Sequence, residues 1–211
     1  MSKITLIDYS IGNLLSVERA LAHLGADYSI ARSVEEIDAA SKLILPGVGA
    51  FASCTGELEK RGFMEPIRKA VTADKPILGI CVGMQMLFER SEEFGVNEGF
   101  GFIKGTVKPI PFVSTVGQAH KIPHIGWTSL VVLEDGWDDP ILDGVEQGAE
   151  VYFVHSFTAH PQESKNRVAD AYYGGQRVSA IVKSGNTYGT QFHPEKSGPV
   201  GLKILDNFLK L

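Results

Sequence analysis

Three side chains in this sequence have the chemistry of a thiol-based hydrolysis. They are a cysteine at 81, within Leu78-Gly79-Ile80-Cys81-Val82-Gly83-Met84-Gln85, and a histidine and a glutamate at 193 and 195, within Gln191-Phe192-His193-Pro194-Glu195. A cysteine attacks as its thiolate, an imidazole can take the proton near neutral pH, and a carboxylate on the other ring nitrogen fixes the tautomer. The expected roles are Cys81 as nucleophile, His193 as base and Glu195 as orienter. Cys81 follows a short apolar run, and Met84, Leu87 and Phe88 after it have the spacing of a helix. A strand-to-helix turn there exposes the sulfur at its apex, near helix N–H groups that favour the thiolate, with Gly79 and Gly83 removing bulk on either side. Singly, each residue has a plainer explanation, as a packed thiol, a loop histidine or a surface charge. The expectation rests on the three together.

Such a triad needs a fold that brings distant segments to one place. In an open α/β sheet, ligands bind beyond the carboxyl ends of the strands. Cys81 follows one strand-like run, and His193 follows another that ends at Phe192. A third run, in Leu43-Ile44-Leu45-Pro46-Gly47-Val48-Gly49-Ala50-Phe51, enters a segment whose glycines allow unusual backbone angles and close approach to a ligand. Next to the Cys81 turn, the N–H groups of Val48, Gly49 and Val82 make an expected oxyanion hole. The segment lacks the lysine and hydroxyl residue of a phosphate loop. The other histidines, at 23, 120, 124, 155 and 160, have no metal-site spacing, so neither a metal nor a cofactor is expected.

The elements that must position these residues are read from alternation. Runs at 3–8, 27–31, 42–46 and 76–80 read as strands with helical patterns between them, which predicts an α/β fold with a mostly parallel open sheet and helices on both faces. Leu14, Val17, Leu21 and Leu24 share a helix face that Gly25 is placed to end, and Ser33 with Glu36 forms a capping box. From about 95 to 192 the chain turns to short β-like runs at 99–110, 128–134, 149–158, 169–173, 178–184 and 187–192. These predict additional strands joined to the parallel core, several of them antiparallel. A closing helix has Val200, Ile204, Phe208 and Leu211 on one face. No repeat or linker divides the chain, and one domain over 1–211 is expected.

Composition narrows the function. The 211 residues carry a net charge of −5 with no basic run, which argues against a nucleic-acid or membrane-surface binder. Two cysteines imply no disulfide framework, and no leader or membrane span is read, so a cytoplasmic protein is expected.

The segments Gly79-Ile80-Cys81-Val82-Gly83-Met84-Gln85 and Gln191-Phe192-His193-Pro194-Glu195, with Pro46-Gly47-Val48-Gly49 before them, resemble the class I (triad) glutamine amidotransferases along essentially the whole chain. Within that class, 7–17, His124-Ile125-Gly126-Trp127, 152–157 and Lys196-Ser197 look most like the glutaminase subunits of imidazole glycerol phosphate synthases. The resemblance implies hydrolysis of glutamine to glutamate and ammonia. The ammonia passes to a separate (β/α)8 cyclase subunit that makes imidazole glycerol phosphate and an aminoimidazole carboxamide ribotide. It also implies that Gln85 and the backbone of Gly47, Ser156 and Phe157 hold glutamine, and that Asn13, Tyr152 and Lys196 lie near the subunit interface. Phe157 stands where the family often has tyrosine and Thr128 where it often has asparagine; Cys54 receives no role. The rival functions are the glutaminase subunit of an anthranilate, GMP or pyridoxal phosphate synthase, a catalytically silent regulatory subunit of the same fold, and a general cysteine hydrolase.

Overall fold

In the computed structural model, which describes residues 3–131 and 137–211, the first half alternates strand and helix. β1 (Ile4–Ile7), α1 (Leu14–His23), β2 (Tyr28–Ala31), α2 (Val34–Asp38), β3 (Lys42–Gly47), α3 (Phe51–Lys60), α4 (Met64–Thr72) and β4 (Ile77–Cys81) follow in turn. β1, β3 and β4 are buried along their whole length, which is why they read as mostly apolar runs. α1 buries Val17, Ala20 and Leu21. It ends as its sequence dictates: Gly25 takes φ +65°, and the N–H groups of Gly25 and Ala26 return to the carbonyls of Ala22 and Leu21 at 3.0 Å each. α2 begins in the expected capping box, with Glu36 N–H on Ser33 Oγ at 3.3 Å and Ser33 N–H on Glu36 Oε2 at 3.0 Å.

The second half is α5 (Val82–Gln85), β5 (Phe88–Ser91), β6 (Asn97–Glu98), β7 (Ile103–Pro109), β8 (His124–Ser129), β9 (Glu150–His155), β10 (Phe157–Pro161), β11 (Arg167–Tyr173), β12 (Gln176–Ser184), β13 (Thr187–Thr190) and α6 (Gly198–Lys210). The central sheet has the order β11-β12-β13-β4-β3-β1-β2. It is parallel from β2 to β13 and antiparallel where β12 and β11 extend it. The mostly parallel sheet with added antiparallel strands is therefore present.

Not every later strand joins it. β10, β7, β5 and β6 form a separate four-stranded sheet, and β8 pairs only with β9. The expected run at 128–134 is strand only to Ser129, and its residues 132–134 lie outside the described residues. The helix expected from Met84 also ends early, because α5 stops at Gln85 and Phe88 begins β5. Leu87 and Phe88 pack with Met84, Ile103, Val107 and Ala159 in the core of the second sheet, which holds them as well as a helix face would. In α6, Ile204 and Phe208 are buried as expected, but Val200 is only partly so and Leu211 is exposed beyond the helix end. The last carbonyls of α6, Phe208 and Leu209, accept from buried Lys42 Nζ at 3.1 and 2.8 Å, a cation placed where the helix dipole favours one.

The bend from β4 into α5 packs backbone on backbone. A Cβ on Gly79 would lie 2.6 Å from the carbonyl oxygen of Gly83, one on Gly47 would lie 2.6 Å from the nitrogen of Gly83, and one on Gly83 would run into the carbonyl of Leu45. Gly83→Ala should therefore lower unfolding stability by about 1–3 kcal/mol. A urea midpoint equal to that of the unmodified chain would show that the bend can relax.

Candidate active site

Cys81 sits at the apex of this bend with φ +56° and ψ −111°, a backbone region that non-glycine residues rarely occupy. The parallel pairing of β13 with β4 places Thr190 opposite Ile80, so the chain beyond β13 emerges beside Cys81. Three residues on, His193 opens a short 3-10 turn, Pro194–Lys196. Ser197 clamps that turn: its hydroxyl donates to His193 O at 2.7 Å and accepts from Tyr152 N–H at 2.9 Å. Within it, His193 Nδ1 and Glu195 Oε1 are 2.7 Å apart, with both side chains almost wholly buried. Cys81 and His193 line one cavity of about 290 Å³.

Burial alone would lower the His193 pKa, but the sulfur of Cys81 and the carboxylate of Glu195 outweigh it and push it up to about 10. Any proton Cys81 gives up therefore has a strong acceptor. The other oxygen of Glu195, Oε2, is buried with no hydrogen-bond partner among the described residues.

Val48, Gly49 and Val82 line the same cavity, as do Gln85, Ser156 and Phe157. Gly49 has φ +88°, a conformation suited to glycine. Gly47 is different: it pairs with Cys81 across β3 and β4, packs on Gly83, and borders a gap too small for water beside His193 and Glu195. Asn13 borders that gap too, while Tyr152 packs edge-on against exposed Trp127 with ring centroids 6.0 Å apart, and Lys196 is exposed. The carbonyl of Tyr152 accepts the N–H of His193 at 3.0 Å, so Asn13, Tyr152 and Lys196 all adjoin the His193 turn.

Several residues that the sequence did not single out take part. Gln191 Nε2 approaches Cys81 Sγ at 3.8 Å, and Gln85 Nε2 donates to Gln191 Oε1 at 3.1 Å and to Phe157 O at 3.2 Å. Glu93 is buried in the cavity wall and accepts the N–H of Phe51 through Oε2 at 2.6 Å. It is the one acidic residue among those lining the cavity. The end of β3 is held by Tyr9, whose hydroxyl donates to Pro46 O at 2.7 Å, and the loop after it by Cys54, whose thiol donates to Val48 O at 3.5 Å. Burial raises the pKa of both groups, which keeps them as donors. Of these, Gln191 stands two residues before the His-Pro-Glu motif, whereas Glu93, Tyr9 and Cys54 carry no local pattern.

Among the described residues, no group of three or more His, Cys, Asp or Glu side chains is arranged to hold a metal ion. No helix among them is long and apolar enough to cross a membrane.

The whole chain is similar to known proteins. The family model "Glutamine amidotransferase class-I" matches residues 5–211. The chain is 48% identical to imidazole glycerol phosphate synthase subunit HisH 1 of Legionella pneumophila (strain Lens) over all of both chains. It is 45% identical to the HisH subunit of Geobacillus thermodenitrificans (strain NG80-2), over 99% of this chain and 96% of that one. In fold it resembles a glutamine amidotransferase crystal structure (TM-score 0.74, 18% identity, 98% and 97% of the two chains covered). It also resembles the structure of PurLQS from Thermotoga maritima (TM-score 0.72, 22% identity, 100% and 99% covered). With a model that spans nearly its whole length and relatives this close end to end, the chain belongs to the class I glutamine amidotransferase family, beside the HisH subunits of imidazole glycerol phosphate synthase.

Proposed function

We infer that this chain is the glutaminase subunit of an imidazole glycerol phosphate synthase, acting as one glutamine amidotransferase domain and passing ammonia to a (β/α)8 cyclase subunit. The observation that supports the reading is the Cys81 elbow and the His193–Glu195 pair in a cavity of amino-acid size, in a chain whose close relatives carry that name. Ligand pockets commonly run from roughly 300 to 1,000 Å³, so this one is at the small end and suits a single amino acid rather than a peptide.

The thiolate of Cys81 attacks the side-chain amide carbon of glutamine. Backbone donors at Val48, Gly49 and Val82 take the charge that develops on oxygen, and His193 delivers its proton to the departing ammonia. Water, activated by His193, then releases glutamate from the thioester. Gln85 and the backbone at Ser156 and Phe157 hold the substrate. Glu93 suits its α-ammonium, because a buried carboxylate with one oxygen already bound is an acceptor fixed in place. Gly47 acts behind the pocket, by letting the elbow pack. Ammonia near neutral pH is mostly ammonium, which is no nucleophile, so delivery to the partner before contact with bulk water matters. Asn13, Tyr152 and Lys196, next to the His193 turn, are the candidate contacts for that partner. Both cysteines are free thiols and the reaction needs Cys81 reduced, which fits the cytoplasm.

Four outcomes test this. With the cyclase subunit and its nucleotide ligand present, Cys81→Ser should cut glutamate release from glutamine by roughly 1,000-fold or more; release that survives the change would reject the nucleophile. Under the same conditions Glu93→Gln should raise the glutamine KM roughly 10- to 100-fold, the worth of a hydrogen bond to a charged group, with a smaller effect on kcat. Glutamate release by the unmodified chain should rise when the liganded cyclase is added, because the Pro46–Gly49 loop must present its N–H groups to the oxyanion and the partner biases that loop. Equal release with and without the cyclase would remove this partner, and stimulation by another synthase's subunit would reassign the pathway. Finally, the raised pKa of His193 makes its charge a stabilising contribution that is complete below about 6.5 and fades as pH climbs toward about 10. In an NMR titration the His193 ring should keep its proton well above pH 7, and in Cys81→Ala it should titrate closer to the ordinary imidazole range; an ordinary value in the unmodified chain would count against the pair.

A further inference from the structure

Two histidines that the mechanism does not use stand at the cavity wall: His155 is part of the lining, and His124, which is not, bonds to it. His124 opens β8 and His155 ends β9, opposite one another in the register of that pair. His124 Nδ1 is 3.0 Å from His155 Nε2, His155 Nδ1 is 2.8 Å from Phe157 O, and His124 Nε2 is 2.8 Å from Thr128 Oγ1. A carbonyl oxygen only accepts, so His155 Nδ1 carries a hydrogen. Burial drives the pKa of His155 down to about 3 and that of His124 down to about 4, so both rings are neutral. A neutral ring has one donor and one acceptor. His155 Nε2 must therefore accept, His124 Nδ1 must donate, and His124 Nε2 must accept from the Thr128 hydroxyl. Only one assignment of hydrogens satisfies every atom.

We propose that Thr128, His124 and His155 form a directed hydrogen-bond chain that positions the Ser156–Phe157 backbone for glutamine, with the Phe157 carbonyl setting both ring tautomers and the Thr128 hydroxyl completing the chain as its outermost donor. The chain ends on the same Phe157 carbonyl that Gln85 Nε2 reaches from the other side, and Gln85 continues through Gln191 to Cys81. The corner between β9 and β10 is thus held between the β8 strand and the nucleophile. Tyr173 stacks on His124 with centroids 4.1 Å apart and Phe153 stacks on it at 5.0 Å, so the ring has little freedom to turn. Thr128 is half-buried and shares its strand with exposed Trp127, which places the source of the chain beside the surface assigned above to the partner. The three are positioning residues for the substrate-holding backbone, and the role rests on the glutaminase reading.

The test uses the full chain, alone and in complex with the cyclase subunit, labelled with 15N in its histidine rings. The unmodified chain should show His124 and His155 both neutral with the hydrogen on Nδ1. Thr128→Val, which removes the hydroxyl and keeps the shape, should shift the His124 Nε2 resonance to that of an unbonded nitrogen. In the complex it should raise the glutamine KM about 3- to 10-fold with kcat little changed, the range for losing one neutral hydrogen bond. Thr128→Ser should restore both readouts. A purely structural threonine would alter thermal stability and leave the His124 Nε2 resonance and KM alone. A hydrogen on Nε2 of either ring, or an unchanged KM in Thr128→Val, would overturn the proposal. If the unmodified complex releases no glutamate, the glutaminase reading fails, and the ring spectra, which need no substrate, still decide the chain.

Discussion

The backbone of Cys81 is held in a conformation that costs on the order of 1–3 kcal/mol for a side-chain-bearing residue, and the surrounding structure is arranged to permit it. Gly47 on β3, Gly79 on β4 and Gly83 in α5 let three backbone segments approach more closely than any Cβ would allow. From that contact the rest follows. α5 starts directly after Cys81, β3 delivers the Val48–Gly49 loop next to it, and the parallel partner β13 delivers His193. The site is a product of sheet register, with each functional segment leaving the same edge of the central sheet.

Burial then separates three histidines of identical intrinsic chemistry. His193 is buried against a thiol and a carboxylate, and its proton affinity rises; His124 and His155 are buried against one another and against carbonyl and hydroxyl groups, and theirs falls. One fold thus contains an imidazole suited to moving protons and two suited to fixed, neutral hydrogen bonding. The distinction lies in whether a negative partner stands within reach.

The core of the central sheet was legible because β1, β3 and β4 are wholly buried and so appear as mostly apolar runs, and because Gly25 and Ser33 with Glu36 mark helix ends by local chemistry. The second sheet was not. Met84, Leu87 and Phe88 have the spacing of one helix face, yet they pack where a short helix hands over to a strand, and a short apolar pattern cannot tell those environments apart. The separate pairing of β8 with β9 was hidden likewise, since partner choice depends on contacts across residues far apart in the chain.

The sequence alone determined the residue types of the triad, the glycines that the elbow demands and the order of the motifs, because each depends on side-chain identity or on local backbone chemistry. Tertiary structure alone decided that Glu93 stands in the cavity wall, that Gly47 supports the elbow from behind, that Tyr9 and Cys54 hold the end of β3 and the loop after it, and that Thr128 connects to the corner between β9 and β10 through two imidazoles. Those roles are set by burial and by hydrogen bonds between segments remote in the chain, and such contacts leave no periodicity or motif for local reading to detect.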